Sequence, residues 1–365
     1  MIGVTKTYLP PFEEYITLLK RAWNKAWITN NGELVQELEL KLKVYLDVPC
    51  LLFTNNGTLP LQMALKVLNI TKEVITTPFS YVATVNAILW EGCQPVFVDI
   101  DPQTFCIDAE KIEAAVSPDT QAILVTHVYG IPCDVGAIED IARKHNLKVI
   151  YDGAHAFGVV HKGKSLLSYG DISTCSFHAT KLFHTVEGGC IIANDSALDN
   201  KLMLMRQFGH IGDEYFSEGI NGKNSEFHAA MGLSVLPKID EIIELRKAVV
   251  LRYAHAFNVP QLYSPVDFVN YLTNWNYSYY PIVFEDEEML MIVKGLLQSR
   301  KIFARRYFYP SLNCLPYLVK SNVCKVSEDL SKRVLALPLY HDLDADIQDK
   351  IIEITLKAVS RIKTF

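Results

Sequence analysis

The sequence predicts an α/β fold in which a mostly parallel sheet, covered by helices on both faces, precedes a smaller α+β domain. Three observations lead there. The first two-thirds of the chain alternates short β-branched runs with longer helical patterns, the rhythm of strands joined by crossover helices. From about Arg252 the rhythm changes, and the expected division is 1–250 for a large domain and 251–365 for a small one. With 365 residues, 50% of them apolar, the chain can bury more than one core.

Taken in order, the expected strands are 50–53, 73–77, 95–100, 122–128 and 148–152. Helices are expected between them at 58–68, 81–91, 109–115 and 135–145. Segment 158–194 is richer in turns, and its short strands leave little room for helices. Helical patterns follow at 196–207 and 226–247. The last third holds a tyrosine-rich stretch at 271–280, a strand at 280–284, a helix at 287–299 and a terminal helix at 345–362.

Composition narrows the function. Lys and Arg number 35 against 41 Asp and Glu, so the net charge of -6 gives no argument for a nucleic-acid partner. No run approaches the roughly 18 apolar residues that span a bilayer. The first residues have neither a basic start nor an apolar stretch, and eight scattered cysteines form no Cys-x-x-Cys pair. A cytoplasmic chain with reduced thiols is the expectation. No His/Cys/Asp cluster has metal-ligand spacing, and no G-x-S-x-G or G-x-G-x-x-G occurs. Gly158 to Ser165 does match G-x-x-x-x-G-K-[ST], but Leu166 to Gly170 is too short for the helix that a phosphate loop must open. Its interior reads as a strand entering a turn at Lys162-Gly163-Lys164.

The residues that carry chemistry lie at strand ends. Asp152 closes an apolar run and is followed by Gly153-Ala154-His155, where an open parallel sheet binds ligands; a strand-end acid equally caps a turn. Lys181 follows Ser176-Phe177-His178-Ala179-Thr180 about 29 residues later, just before Glu187-Gly188-Gly189. Pyridoxal phosphate enzymes need this pair: an amine to form the Schiff base and a carboxylate to keep the ring nitrogen protonated. Thr54-Asn55-Asn56-Gly57-Thr58 opens a helix and suits a phosphate, or is an ordinary turn with a capping Thr. Tyr81 in Thr77-Pro78-Phe79-Ser80-Tyr81 could stack on a flat ring, or merely pack.

This set, with Pro95-Val96-Phe97-Val98-Asp99-Ile100-Asp101, Gly219 to Ala230 and Leu337-Pro338-Leu339-Tyr340 in the same order, resembles the DegT-type nucleotide-sugar aminotransferases. The resemblance implies a fold-type I architecture with a sheet of seven-stranded type, pyridoxal 5'-phosphate, and a homodimer with shared active sites. It implies Lys181 as Schiff-base lysine and proton shuttle, Asp152 on the pyridinium nitrogen and His155 beside the 3-hydroxyl. Tyr81 and Ala154 would face the two sides of the ring. Gly57, Thr58 and Ser176 would bind the phosphate, joined by Asn221 from the partner subunit. Thr29, Asn30, Tyr307 and Tyr309 would contact the sugar nucleotide. So would Lys223 and Asn313, where many relatives carry Arg and His. The resemblance is strongest to members that take L-glutamate as donor and aminate a thymidine-diphosphate 4-keto-6-deoxy sugar for surface polysaccharide such as O-antigen. Members that aminate the 3-keto isomer look similar over much of the chain. A non-catalytic regulator, or an enzyme that dehydrates its sugar, would share the fold; Lys181 and Asp152 argue against both.

Overall fold

Seven strands form the central sheet: β1 (Leu52–Thr54), β2 (Glu73–Thr76), β3 (Gln94–Phe97), β4 (Thr120–Thr126), β5 (Lys148–Asp152), β6 (Ile172–Ser176) and β7 (Gly189–Ala193). The computed structural model describes residues 1–265, 274–319 and 321–361. Tyr271 of the tyrosine-rich stretch and Ile362 of the expected terminal helix therefore lie outside the described residues. Across the sheet the order is β1-β7-β6-β5-β4-β2-β3. Neighbours from β6 to β3 run parallel, while β7 is antiparallel to both β1 and β6.

The β-branched runs work because both faces of the sheet are buried. In β4, Ile123 and Val125 enter one core while Ala122 and Leu124 enter the other. In β5, Val149 and Tyr151 face the first core and Ile150 the second. The C-terminal ends of β4, β5 and β6 open together on one edge, with Thr126 and Asp152 opposite one another in register.

Crossover helices lie where the periodicity placed them. Val135–His145 matches its expected bounds, because Asp134 accepts the Ala137 amide at 3.1 Å and Asn146 ends the helix in the left-handed region. Leu59–Val67, Val82–Trp90 and Ser196–Arg206 also lie within two residues of their expected bounds, the last with Asp195 accepting the Ala197 amide. The expected 109–115 helix is a short Ala109–Ile112 followed by a 3-10 turn. The expected 226–247 helix is two, Glu226–Val235 and Ile239–Ala256, separated at Leu236–Lys238, where Pro237 has no amide to donate. The formal phosphate-loop match is a hairpin, Val160–His161 against Lys164–Ser165, with Lys162 and Gly163 at positive φ in its turn.

Two helices precede the sheet without having been expected, Phe12–Asn24 and Glu33–Leu46. Glu226 receives the amides of Leu34 and Val35 at 2.7 and 3.2 Å, at the start of the second. Gly32 lets that carboxylate approach, since a Cβ there would lie 2.6 Å from its carbon.

After Ile239–Ala256, which runs unbroken through residue 250, Pro281–Val283 pairs with Val334–Ala336. Glu287–Ser299, Lys325–Arg333 and Ala345–Arg361 flank this pair. The start of the chain joins them: Ile2–Gly3 pairs in parallel with Ile302–Phe303. Among the described residues no helix is long and apolar enough to cross a membrane.

Candidate active site

A cavity of about 280 Å³ opens at the shared edge of β4, β5 and β6. Asp152, the last residue of β5, lies in its floor and is 6% exposed. Its Oδ2 accepts from the Thr84 hydroxyl at 2.7 Å and its Oδ1 from the Ala154 amide at 3.1 Å. Burial pushes the carboxyl pKa up, while the Thr84 bond, the Ala154 amide and the Lys181 charge pull it back.

His155 lines the same cavity between aromatic rings. Phe308 stacks on it at 5.8 Å and Tyr279 meets it edge-on at 4.8 Å. Burial, aided by the Lys181 charge, holds its pKa well below the usual value, so the ring is neutral. Its Nδ1 accepts the Tyr129 amide at 3.2 Å, which leaves Nε2 as the N–H donor. Tyr129 reaches that position in the left-handed region, at φ 56°.

Lys181 enters from the loop joining β6 to β7, five residues beyond the strand end. The loop is packed: Phe183, His184 and Thr185 are fully buried, and Phe183 stacks on Phe157 at 4.6 Å. Ala179 donates to the Val186 carbonyl at 2.7 Å, and Lys181 to the His178 carbonyl at 2.8 Å. The start of the chain ties it down, with Thr7 donating to the Ala179 carbonyl at 2.8 Å and His184 Nε2 bonded to the Tyr8 carbonyl at 2.6 Å.

Asn56, Gly57, Thr58 and Ser176 form one wall. Asn56, and not Thr58, caps the helix after β1: its Oδ1 accepts the amides of Thr58 and Leu59, both at 2.8 Å. The Thr58 hydroxyl is left free of capping. A Cβ at Gly57 would lie 2.7 Å from that of Ser176, so only glycine lets the two segments meet. Tyr81 stands at the opposite rim, 55% exposed, at the start of Val82–Trp90. Ala154 and Tyr307 also line the cavity.

The remaining candidates are not brought to this cavity within one chain. Thr29 and Asn30 lie in an exposed turn, and Asn30 has φ 61°. Asn221 is exposed, and its carbonyl accepts from Asn55 at 3.4 Å. The Lys223 ammonium sits 4.7 Å from the Phe208 ring, its pKa lowered by burial. Tyr309 is exposed beneath the Arg306 guanidinium. Asn313 is buried and engaged in its own chain: it accepts from Ser311, and donates to the Asn322 carbonyl at 3.0 Å and to Glu328 at 2.7 Å. Its contacts are those of a structural amide.

The sequence reading gave no role to Thr84, His178, Glu187, Tyr279 or Arg305. The last four line the cavity, with the Arg305 guanidinium 4.9 Å from the Tyr307 ring. His178 and Glu187 stand within quoted motifs; Tyr279 and Arg305 come from the last third, and only tertiary folding brings them here.

Residues 12–355 match the DegT/DnrJ/EryC1/StrS aminotransferase family. The chain belongs to this family. It is 42% identical to a dTDP-4-amino-4,6-dideoxy-D-glucose transaminase of Shigella dysenteriae, covering 96% of this chain and 97% of that one. A protein of the same name from Escherichia coli is 40% identical, over 97% and 98% of the two chains. Among solved structures, DesI in the presence of its TDP-sugar product is 29% identical, with a TM-score of 0.92 over 99% of this chain and 93% of that one. Helicobacter pylori PseC is 26% identical, with a TM-score of 0.90 over 98% and 99%. The protein is thus a fold-type I aminotransferase, and its cofactor is pyridoxal phosphate. The cavity suits that group chemically. It offers one lysine amine, a buried carboxylate, a neutral imidazole donor and a hydroxyl-lined wall where glycine permits close approach.

Proposed function

We propose that this aminotransferase moves an amino group from L-glutamate to a thymidine-diphosphate-linked 4-keto-6-deoxy sugar, giving a 4-amino-4,6-dideoxy sugar for a surface polysaccharide such as O-antigen. One observation carries the choice of sugar: identity of 42% and 40%, over nearly the whole chain, to two enzymes named for dTDP-4-amino-4,6-dideoxy-D-glucose. GDP-perosamine synthases match less well over the whole chain, at 32% over 92% for Escherichia coli O157:H7 and 39% over only 61% for Caulobacter vibrioides, so whole-chain similarity favours thymidine over guanosine diphosphate. A cytoplasmic homodimer belongs to the same reading.

In this reading residues 1–250 hold the cofactor, and Tyr279, Arg305, Tyr307 and Phe308 of 251–365 close over it. Lys181 is the covalent anchor, and its Nζ takes the proton from the donor's α-carbon; a positioned amine is a proximity device. Asp152 keeps the cofactor's ring nitrogen protonated, and His155 donates its Nε2–H to the 3-hydroxyl. Ala154 lies against one ring face without bulk, and Tyr81 covers the other. Gly57, Thr58 and Ser176 bind the phosphate, with Asn221 supplied by the second subunit. Thr29, Asn30 and Lys223 come to the sugar nucleotide across the same boundary, while Tyr307 reaches it from its own chain. Bound there, pyridoxal phosphate supplies the electron sink for the carbanion left when the α-proton departs.

The test is incubation with glutamate and, separately, the 4-keto and 3-keto thymidine-diphosphate 6-deoxy sugars and a GDP-linked 4-keto-6-deoxy sugar. Products are identified by mass and NMR. An amine at C4 of the thymidine-diphosphate sugar is the expected result. Amination of the 3-keto isomer alone would replace this reading with a 3-aminotransferase.

A further inference from the structure

Three hydroxyls around Asp152 have no place in the roles above; Ser80 and Thr126 border the cavity and Thr84 lies outside its lining. Thr84 Oγ1 donates to Asp152 Oδ2 at 2.7 Å, and Ser80 Oγ lies 2.8 Å from both Thr84 Oγ1 and Thr126 Oγ1. Thr84, Ser80 and Thr126 are 0%, 1% and 2% exposed, so solvent does not compete for these bonds. An ionised carboxylate has no proton to give, which makes Thr84 the donor. Its single proton is then in use, so Ser80 donates to Thr84, while the Thr126 proton is shared between Ser80 and the Asp152 carboxylate. The hydroxyl network ends on the carboxylate, each bond polarising the next. The fold puts the members together: Thr126 ends β4 opposite Asp152, and Ser80 and Thr84 flank the helix start at Tyr81.

We propose that Thr84 is a positioning residue for transamination. It fixes Asp152 Oδ2 and, backed by Ser80 and Thr126, weakens that carboxylate's hold on a proton, so that the proton stays on the cofactor's ring nitrogen. The proposal rests on Asp152 being the partner of that nitrogen, as read above. Burial works against it by raising the Asp152 pKa, and the Thr84 bond is the largest opposing effect, ahead of the Ala154 amide and Lys181.

Thr84→Val keeps the side-chain shape and removes the hydroxyl. The holoenzyme is reconstituted with cofactor carrying nitrogen-15 in its ring, and that resonance reports protonation directly. In Thr84→Val the resonance should move toward that of unprotonated pyridine. kcat should fall about 10-fold or more, the scale of one hydrogen bond to a charged group, with KM for the sugar nucleotide unchanged. Thr84→Ser should restore both, and Ser80→Ala, one link further back, should give a smaller shift in the same direction. Asp152→Asn is the reference. If it is crippled while Thr84→Val keeps the wild-type resonance and kcat, the proposal is overturned and the reading of Asp152 stands. If Asp152→Asn itself is near normal, that reading falls and takes the proposal with it. A loss in Thr84→Val that Thr84→Ser does not repair assigns Thr84 to packing and overturns the proposal. Should Thr84→Val not fold, Ser80→Ala decides: an unmoved resonance there overturns it.

Discussion

Asp152 and His155 share a floor and are pushed by the same burial in opposite directions, the carboxyl up and the imidazole down. Both shifts remove charge from a low-dielectric site, so the cation that Asp152 is proposed to hold would have to be worth more than its own desolvation. Asp152→Asn keeps the shape and removes that charge, and turnover should drop at least about 10²-fold, the scale of a lost electrostatic stabiliser. Near-normal turnover with bound cofactor would reduce Asp152 to the cap of a turn. Borohydride should fix the cofactor to Lys181 alone, and peptide mapping to another lysine would overturn the assignment. A third buried group gives a prediction about stability. His127 stacks on Tyr151 at 4.5 Å, accepts the Cys133 amide on Nδ1 at 3.2 Å, and is pushed down to about 3 by burial. Its folded pKa lies below the unfolded value, about 6.5, so the unfolded chain binds the extra proton. Stability is therefore intact above about pH 6.5 and should fall by up to about 1.4 kcal/mol per pH unit below it, down toward the folded pKa. His127→Asn, which keeps an acceptor for Cys133, should flatten the drop in unfolding free energy between pH 6 and 5 by about that amount. An unchanged slope would mean that the ring protonates without unfolding.

Helix ends decide how well elements can be located from sequence, and here they also predict stability. Val135–His145 and Glu287–Ser299 have local caps, Asp134 on the Ala137 amide and Asp286 on the Met289 amide, and both stand at their expected bounds. Glu33–Leu46 has no local side-chain cap; its amides end on Glu226, far along the chain, a partner that no local pattern announces. The buried face of that helix, Leu34, Val35, Leu38, Leu42 and Leu46, does have helical spacing, yet the sequence reading placed no helix there. Pro237 likewise splits what was expected as one helix at 226–247, although a proline inside a helical pattern is a local break signal. The candidate site divides the same way. Asp152 could be read because strand ends of a parallel sheet collect chemistry, and Lys181 because a lysine between a Ser/Thr/His run and a glycine turn is unusual, whereas the Thr84 bond is a contact between elements 68 residues apart. Glu226→Ala should leave the Leu34 and Val35 amides without an acceptor and cost about 2 kcal/mol or more, measured as a loss in chemical denaturation. Glu226→Gln, which retains an acceptor oxygen, should cost less. Equal stability of Glu226→Ala and the parent would mean that water replaces the carboxylate.

At the scale of the whole molecule, the described chain leaves a face uncovered. Phe208, Ile211, Tyr215, Phe216 and Ile220 are 47%, 55%, 77%, 57% and 47% exposed, on the segment that leads into Asn221. Apolar groups gathered on one segment suit a second copy of the chain, and the proposed dimer is one in which each Asn221 serves the other subunit's cavity. Asn221 does not line the cavity of its own chain, whereas Lys181 does. The proposed composite site therefore makes a prediction about mixtures. In Asn221→Asp, a carboxylate set against the cofactor's phosphate dianion should weaken cofactor binding by like-charge repulsion, and Lys181→Ala should be inactive outright. Equal amounts of the two parents, allowed to exchange subunits, form mixed dimers as about half of the population. Each mixed dimer has one site with both lesions and one with neither, so activity should return to about a quarter of the unmodified enzyme. If Asn221 instead served its own chain, every mixed site would carry one lesion and nothing would return. Exchange is confirmed independently by mass spectrometry of differently tagged chains; no recovery despite confirmed exchange would remove Asn221 from the shared site.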